Sequence, residues 1–344
     1  MNITLRDPTY TPPDAPGLVE RIAENLIHDP RDLPFLKLTA LLSATVVPTG
    51  IALFVPHCFR WWLAGAHLAM VFYFLGPFVL MLHNTSHRRL YRRPWDWLNQ
   101  YIPWVLGPFF GESPEAYFAH HVGMHHPENN LDDDVSSTLA YRRDRLIDFL
   151  RYFGHFMCFG FFDLTRYFAR KKRRSLLVRT LVGELSFYCA VAALLFVNSR
   201  ATLVAFVIPL VVTRFAMMAG NWGQHAFVDQ ASPENCYRNS ITCINSSYNR
   251  RCFNDGYHIG HHLKATRHWT ELPDEFRLQR ETYASEGAIV FEGLDFFSVW
   301  ALLMLGRYDR LARQFVELGE VRRTPEDIIS LLRSRTGWTR FPPA

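Results

Sequence analysis

Histidines in four short clusters are the residues of this chain best suited to do chemistry. The chain has 15 histidines among 344 residues, and most of them recur at spacings of three or four. Such spacings place two imidazoles on one face of a helix, where both can bind one metal ion. The clusters read H-x-x-x-H, H-H-x-x-x-H-H, N-x-x-x-H and H-x-x-H-H. Without His120, they offer nine candidate ligands: His83, His87, His121, His125, His126, His225, His258, His261 and His262.

The number of these histidines indicates two metal ions. A structural zinc site uses four protein ligands and a catalytic zinc site uses three, so nine imidazoles are too many for one ion. His120 is an extra neighbour that could replace His121 as a ligand. Asn221, one helical turn before His225, is a candidate for a place beside the metal. Asp255, just before the last cluster, is a candidate hydrogen-bond partner of a ligand.

The elements that position the clusters are expected to be membrane-spanning helices. A helix of about 20 apolar residues crosses about 30 Å of hydrocarbon. Four stretches are long and apolar enough, and they predict four spans in two hairpins: 38–55, 61–82, 180–197 and 201–220. The last two contain Glu184 and Arg214, which we expect to pair or to reach the membrane surface. Residues 97–111 are too short for a span and favour a re-entrant segment, and 146–168 favour an interfacial helix.

Basic residues set the expected orientation. Most runs of Arg and Lys fall between the two hairpins, which places this part of the chain in the cytoplasm by the positive-inside rule. Both termini and the active site are then cytoplasmic as well, because each hairpin returns to its starting side. We therefore expect a cytoplasmic N-terminal segment 1–33, a four-helix membrane domain 34–225 with a cytoplasmic insert 83–179, and a cytoplasmic cap 226–344. The clusters can then converge at the membrane face. An all-histidine site there, without a thiolate, favours two non-haem irons that activate O₂.

The composition excludes several other classes of protein. Hydrophobic residues make up 49% of the chain and charged residues 20%, which excludes general disorder. The net charge of +5 is too small to indicate a nucleic-acid partner. The six cysteines show no C-x-x-C spacing, so neither a disulfide framework nor a cysteine zinc site is expected.

The four clusters, in this order and after these spans, resemble the membrane fatty acid desaturase and hydroxylase superfamily over about residues 38–270. The resemblance implies an all-α integral membrane protein, with four transmembrane helices in two hairpins and a helical cytoplasmic cap that carries the histidine boxes. It also implies two irons, O₂ as co-substrate and an acyl-chain tunnel. His83 and His87 match the first box, and His225 matches the lone ligand. The second and third boxes match His121, His125, His126, His258, His261 and His262. Three residues separate His121 from His125 where many desaturases have two, and this detail is also similar to alkane monooxygenases.

The resemblance implies oxidation of an unactivated C–H bond in a fatty acyl chain, held as a free acid or a thioester. Fatty acid desaturation is the first expectation, and hydroxylation of a fatty acid or alkane and alkene-forming decarboxylation are the alternatives. No catalytic side chain is expected beyond the metal ligands. The chain shows no ferredoxin-like cysteine pattern and no G-x-G-x-x-G motif, so a separate ferredoxin, cytochrome or reductase is expected to supply electrons.

Two rival functions fit the sequence less well. A membrane zinc hydrolase needs a general-base glutamate at H-E-x-x-H spacing, and none of the clusters has one. A metal transporter should place its ligands within the spans along an ion path, whereas these clusters lie beyond the span ends. Metal content separates the three functions. A di-iron oxidase should hold two Fe, a hydrolase should hold one Zn, and a transporter should exchange its metal readily.

Overall fold

A computed structural model describes residues 3–12, 14–15, 17–320 and 322–337, so the outermost parts of the predicted segments 1–33 and 226–344 lie outside the described residues. The chain divides into two compact units. The hairpin unit comprises Tyr10–Gly123 and Leu164–Arg214. The C-terminal unit comprises the described residues up to Thr9, Met124–Asp163 and the described residues from Phe215 onward. Whether the cytoplasmic and membrane segments follow the predicted boundaries stays a prediction.

The hairpin unit is built from long apolar helices. Among the described residues, three helices are long and apolar enough to cross a membrane: Pro30–Ala52, Trp61–His87 and Arg174–Gln224. The first two form the first hairpin. The helix Trp61–His87 runs past the predicted end of the span, so that His83 and His87 occupy its last turns.

The third of these helices is a hairpin rather than one straight rod. Asn198 has a non-helical backbone, with φ −156° and ψ 95°. Arg214 Nη2 lies 3.4 Å from Glu184 Oε1, although a continuous helix would separate the two residues by about 45 Å. The chain therefore folds back at Asn198, and the predicted pairing of Glu184 with Arg214 is confirmed. We call the two legs on either side of Asn198 the second hairpin.

The segment between the hairpins begins with short helical pieces and ends in one long helix. The predicted apolar stretch 97–111 is divided among a 3-10 turn, a π turn and one α turn, because its prolines interrupt regular hydrogen bonding. The remaining short elements of the hairpin unit include Leu18–Leu26 and Leu203–Val207. The short elements between the hairpins, ending in the run that carries the second box, are Arg93–Gln100, Ile102–Leu106, Gly107–Phe109, Ala116–His120, His121–His125 and His126–Glu128. The predicted helix 146–168 is confirmed as Leu146–Arg170.

The C-terminal unit is helical around one small parallel sheet, which the all-α prediction missed. Strand β1, Ile241–Ile244, pairs with β2, Ile289–Glu292, with Ile241 opposite Ile289. The connection between the strands contains the helix His258–Leu263, which carries the third box. The other helices of this unit are Cys236–Asn239, Ser247–Arg251, Trp269–Glu271, Leu272–Leu278, Arg280–Ser285, Phe296–Met304, Tyr308–Arg313 and Pro325–Ser334. All four side chains of β1 are buried, so the sheet fixes where this connection begins and ends.

Candidate metal centre

Three histidines of the hairpin unit lie together. His83 and His87 are four residues apart on the helix Trp61–His87, and their ring centroids are 5.2 Å apart. The ring of His121 lies 4.5 Å from His83 and 5.0 Å from His87. The helical spacing therefore brings two imidazoles onto one face, and His121 completes a three-histidine group whose ligand atoms lie within 4.8 Å of one another.

Four histidines of the C-terminal unit form a second group. Their ligand nitrogens also lie within 4.8 Å of one another, and the members are His125, His225, His258 and His262. His258 Nε2 is 3.3 Å from His225 Nε2. His262 Nε2 is buried and has no hydrogen-bond partner among the described residues. Because a buried ring nitrogen without a partner is costly, its lone pair is suited to a metal ion.

His126 and His261 form a close pair within the C-terminal unit. Their Nε2 atoms are 2.9 Å apart, and their ring centroids are 4.7 Å apart. Two Nε2 atoms can lie this close only if one of them carries a proton or a cation lies between them. The pair therefore offers two further imidazole ligands.

The side chain of His125 is oriented by a carboxylate. Its Nδ1 donates to Asp134 Oδ2 at 2.7 Å, so the ring proton is on Nδ1 and the lone pair is on Nε2. Asp134 is buried and also accepts hydrogen bonds from the backbone N–H of Asn130 and from the backbone N–H and hydroxyl of Ser136. The carboxylate is therefore held rigidly, and it fixes the tautomer and direction of His125.

The side chain of His225 is oriented by a second polar network. Its Nδ1 donates to the carbonyl oxygen of Asn239 at 3.0 Å. Asn239 is itself held by Asn130, whose Nδ2 donates to Asn239 Oδ1 at 2.9 Å. The same Asn130 donates its backbone N–H to Asp134. One buried asparagine thus connects the groups that orient two of the four imidazoles.

The environment keeps two members of this second group neutral, as metal ligands must be. Burial, together with the neighbouring His125, lowers the pKa of His225 from 6.5 to about 4. Burial and the surrounding histidines lower the pKa of His262 well below its usual range. Both imidazoles are therefore unprotonated at neutral pH and present lone pairs.

His120, Asn221 and Asp255 are the three further candidates for a place at or beside the metal. His120 belongs to neither histidine group, whereas its neighbour His121 belongs to the first. Asn221 donates through Nδ2 to the carbonyl oxygen of Ser136 at 2.9 Å and to the hydroxyl of Tyr152 at 2.7 Å. Asp255 is half-buried, and no hydrogen bond joins it to a histidine within the part of the chain that the structure describes. Burial and the nearby Asp295 raise the pKa of Asp255 to about 7.

Sequence reasoning missed several residues of this network. Asp134 belongs to a run of three aspartates, and adjacent identical residues give no sign of which one faces a histidine. Asn130 and Asn239 carry no sequence signal at all. Asp7 was also missed, although its Oδ2 accepts the hydroxyl of Tyr257, the residue directly before His258, at 2.7 Å.

Comparison with known proteins agrees with this geometry. A family model described as Fatty acid desaturase matches residues 57–293, which is more than half of the chain and contains all nine histidines. The chain belongs to the fatty acid desaturase family. No curated protein and no solved structure gives a significant match. This desaturase-family chain is therefore expected to oxidise fatty acyl chains, and its set of imidazole donors suits iron. All six cysteines are free thiols, as predicted from their spacing.

Proposed function

We propose that this protein is a non-haem di-iron enzyme that uses O₂ to oxidise an unactivated C–H bond of a fatty acyl chain, with desaturation as the most direct outcome. The single observation that carries the proposal is the convergence of His125, His225, His258 and His262 within 4.8 Å, in a chain of the fatty acid desaturase family. Hydroxylation of a fatty acid or alkane and alkene-forming decarboxylation remain the alternatives, because all three begin by removing hydrogen from carbon.

We assign the ligands of the two ions from the groups described above. The four-histidine group of the C-terminal unit holds one ion. The second ion takes His83, His87 and His121 of the hairpin unit. His126 and His261 are the remaining ligands of the nine-histidine set predicted from the sequence. His121 rather than His120 is the ligand in this assignment, and Asn221 and Asp255 bind no metal directly.

In this proposal the two irons, when bound, would supply the oxidising chemistry with O₂. The protein holds and orients their ligands. Asp134 and Asn239 hold the ring tautomers of His125 and His225, so that both present Nε2 to the ion. Five of the nine ligands are buried, namely His83, His125, His225, His258 and His261, and their burial would keep water away from the site. No side-chain acid or base is required to remove hydrogen from the acyl chain.

The four apolar legs of the two hairpins are proposed to cross the bilayer, with both termini and the metal centre on the cytoplasmic side. This arrangement rests on the distribution of basic residues along the chain and on the fold-back at Asn198. The substrate is a fatty acyl chain, as a free acid or a thioester, and a separate ferredoxin, cytochrome or reductase delivers the electrons.

The proposal is tested by lipid and hydrocarbon profiling of cells that express the chain, beside cells that carry His125→Ala. A new unsaturated, hydroxylated or alkene product, absent in the variant, identifies the reaction and the attacked carbon. The purified protein should contain about two irons, and His262→Ala should reduce that content. His57→Ala is the matched control, since His57 lies in neither histidine group, and it should leave product and iron unchanged. One zinc per chain and no iron would refute the proposal in favour of a hydrolase.

A further inference from the structure

The backbone of the loop 110–115 packs directly against the backbone of the second hairpin, within the hairpin unit. A Cβ at Gly183 would lie 1.6 Å from the carbonyl oxygen of Pro114, and a Cβ at Gly111 would lie 2.2 Å from the backbone nitrogen of Leu210. Glycine is therefore required at Gly111 in the loop and at Gly183 in the second hairpin. Irregular backbone among apolar helices is tolerated where it is buried in protein or lines a polar cavity. The polar side chains of this loop are therefore candidates for binding a polar group.

The loop lies close to the first histidine box. The ring of Phe110, at its start, stacks on Phe78 with a centroid distance of 4.0 Å and an interplanar angle of 9°. Phe78 precedes His83 by five residues on one helix, which is about 7.5 Å along the axis. Thr213 fixes the loop by donating its hydroxyl to the carbonyl oxygen of Phe110 at 2.6 Å. An acyl chain that approaches His83 from the apolar side would therefore pass near this loop.

The two glutamates of the loop differ in their hydrogen bonding. Glu115 is satisfied, because it accepts from Trp104 Nε1 at 3.1 Å and from Arg179 Nε at 2.8 Å. Glu112 is only 7% exposed, and its Oε1 has no hydrogen-bond partner among the described residues. The hydroxyl of Ser113, at 3% exposure, has none there either. Two adjacent polar groups are thus buried at a cost that a bound polar group would remove.

The charges around Glu112 favour a neutral partner. Glu112 lies outside the three candidate spans, and burial raises its pKa to about 7, an effect that Glu184 increases and Arg214 opposes. Arg214 is already engaged, because its Nη2 lies 3.4 Å from both carboxylate oxygens of Glu184. A carboxylate ligand would therefore have to compete with Glu184 for Arg214. A hydroxyl group fits better, because it can donate to one of the two loop side chains and accept from the other.

We propose that Glu112 and Ser113 form a subsite that binds a hydroxyl group carried on the acyl chain of the substrate. The inference rests on the proposed function, since it assumes that an acyl chain enters the hairpin unit toward His83. It adds a substrate class to that function, namely an acyl chain already bearing a hydroxyl at one defined carbon. Such a substrate must be supplied by a reaction that hydroxylates, or hydrates, the chain beforehand.

The test measures binding rather than turnover, with the full-length iron-loaded protein in lipid nanodiscs. The probes are hexadecanoic acid and a series of hydroxyhexadecanoic acids in which the hydroxyl moves along the chain, each as the free acid and as the coenzyme A thioester. Titration calorimetry should show one positional isomer binding about tenfold more tightly than the unsubstituted chain, as expected for one or two buried hydrogen bonds. This comparison within the wild-type protein does not depend on any variant folding.

Variants then locate the preference. Glu112→Leu combined with Ser113→Ala should abolish the preference and leave binding of the unsubstituted chain intact. Glu112→Gln keeps a donor and an acceptor and should retain most of it. Ser186→Ala is the matched control, since the Ser186 hydroxyl bonds to its own helix at the carbonyl oxygen of Gly183.

The outcomes separate the two proposals. If the unsubstituted chain binds but no hydroxylated isomer binds more tightly, the subsite is overturned and the proposed function stands. If no chain of either kind binds and the protein holds no iron, both are overturned. A preference that survives the double variant places the hydroxyl site elsewhere and also overturns the inference.

Discussion

In the hairpin unit, His83 and His87 stand one turn apart at the end of a single long helix, whereas the C-terminal unit assembles His125, His225 and His262 from three separate segments. The first set is placed by the four-residue spacing of one helix. The second depends on buried polar groups that direct each ring, namely Asp134 for His125 and Asn239 for His225. Helical spacing therefore brings ligands together where one helix supplies them, and a hydrogen-bonded network directs the rings where separate segments supply them.

Replacing Asp134 should separate the two regions most strongly. Asp134→Ala removes a buried carboxylate that accepts four hydrogen bonds, and it leaves three donors and His125 without their partner. We expect the C-terminal group to lose its ion and the protein to lose about 3 kcal/mol of stability. Metal analysis should find about half of the wild-type iron. Full iron content in Asp134→Ala would show that His125 needs no orienting partner.

Acidification should affect the C-terminal group next most strongly. The pKa of His225 falls from 6.5 in the unfolded chain to about 4 in the folded protein, so the unfolded state binds more protons between these values. The stability of the iron-free protein is therefore complete above pH 6.5 and should decrease as the pH falls toward 4. Thermal unfolding across this range measures the effect. An unfolding temperature that stays constant from pH 7 to pH 4 would contradict the buried, neutral state of His225.

Loss of the asparagine network should have an intermediate effect. Asn239→Ala removes the amide that links Asn130 to the His225 region but keeps the backbone carbonyl that His225 uses. We expect affinity for one of the two ions to fall by about 10-fold to 100-fold. Iron retention during graded chelation measures this. Asn25→Ala, which removes an exposed helix-surface amide, is the control and should retain both ions equally well.

The smallest effect is expected at His120. His120→Ala should keep both irons, because His120 lies in neither group, while His121→Ala should lose one. Iron content per chain, measured side by side for the two variants, decides between these neighbours. Iron loss in His120→Ala with full retention in His121→Ala would reverse the ligand assignment in the hairpin unit.

The family, the apolar legs and the identity of the clustered histidines were all predictable from the sequence. Helical spacing of His83 and His87, and uncharged runs of about 20 residues, are local patterns that one chain displays on its own. The small sheet was not predictable, since Ile241 and Ile289 are 48 residues apart and each strand has only four residues. The choice between His120 and His121 was likewise open, because adjacent residues differ only in the direction of their side chains.

What the sequence by itself determined is thus the set of residues that can bind metal and the helices able to cross a membrane. The tertiary structure alone decided which rings converge and which groups orient them. It also decided that Glu115 is hydrogen-bonded while Glu112 Oε1 is buried with no hydrogen-bond partner in the described part of the chain. The physical reason is the separation along the chain over which each interaction acts. Helix formation and hydrophobicity act between near neighbours in the chain, whereas the hydrogen bond from Asn130 to Asn239 spans 109 residues and exists only after the chain has folded.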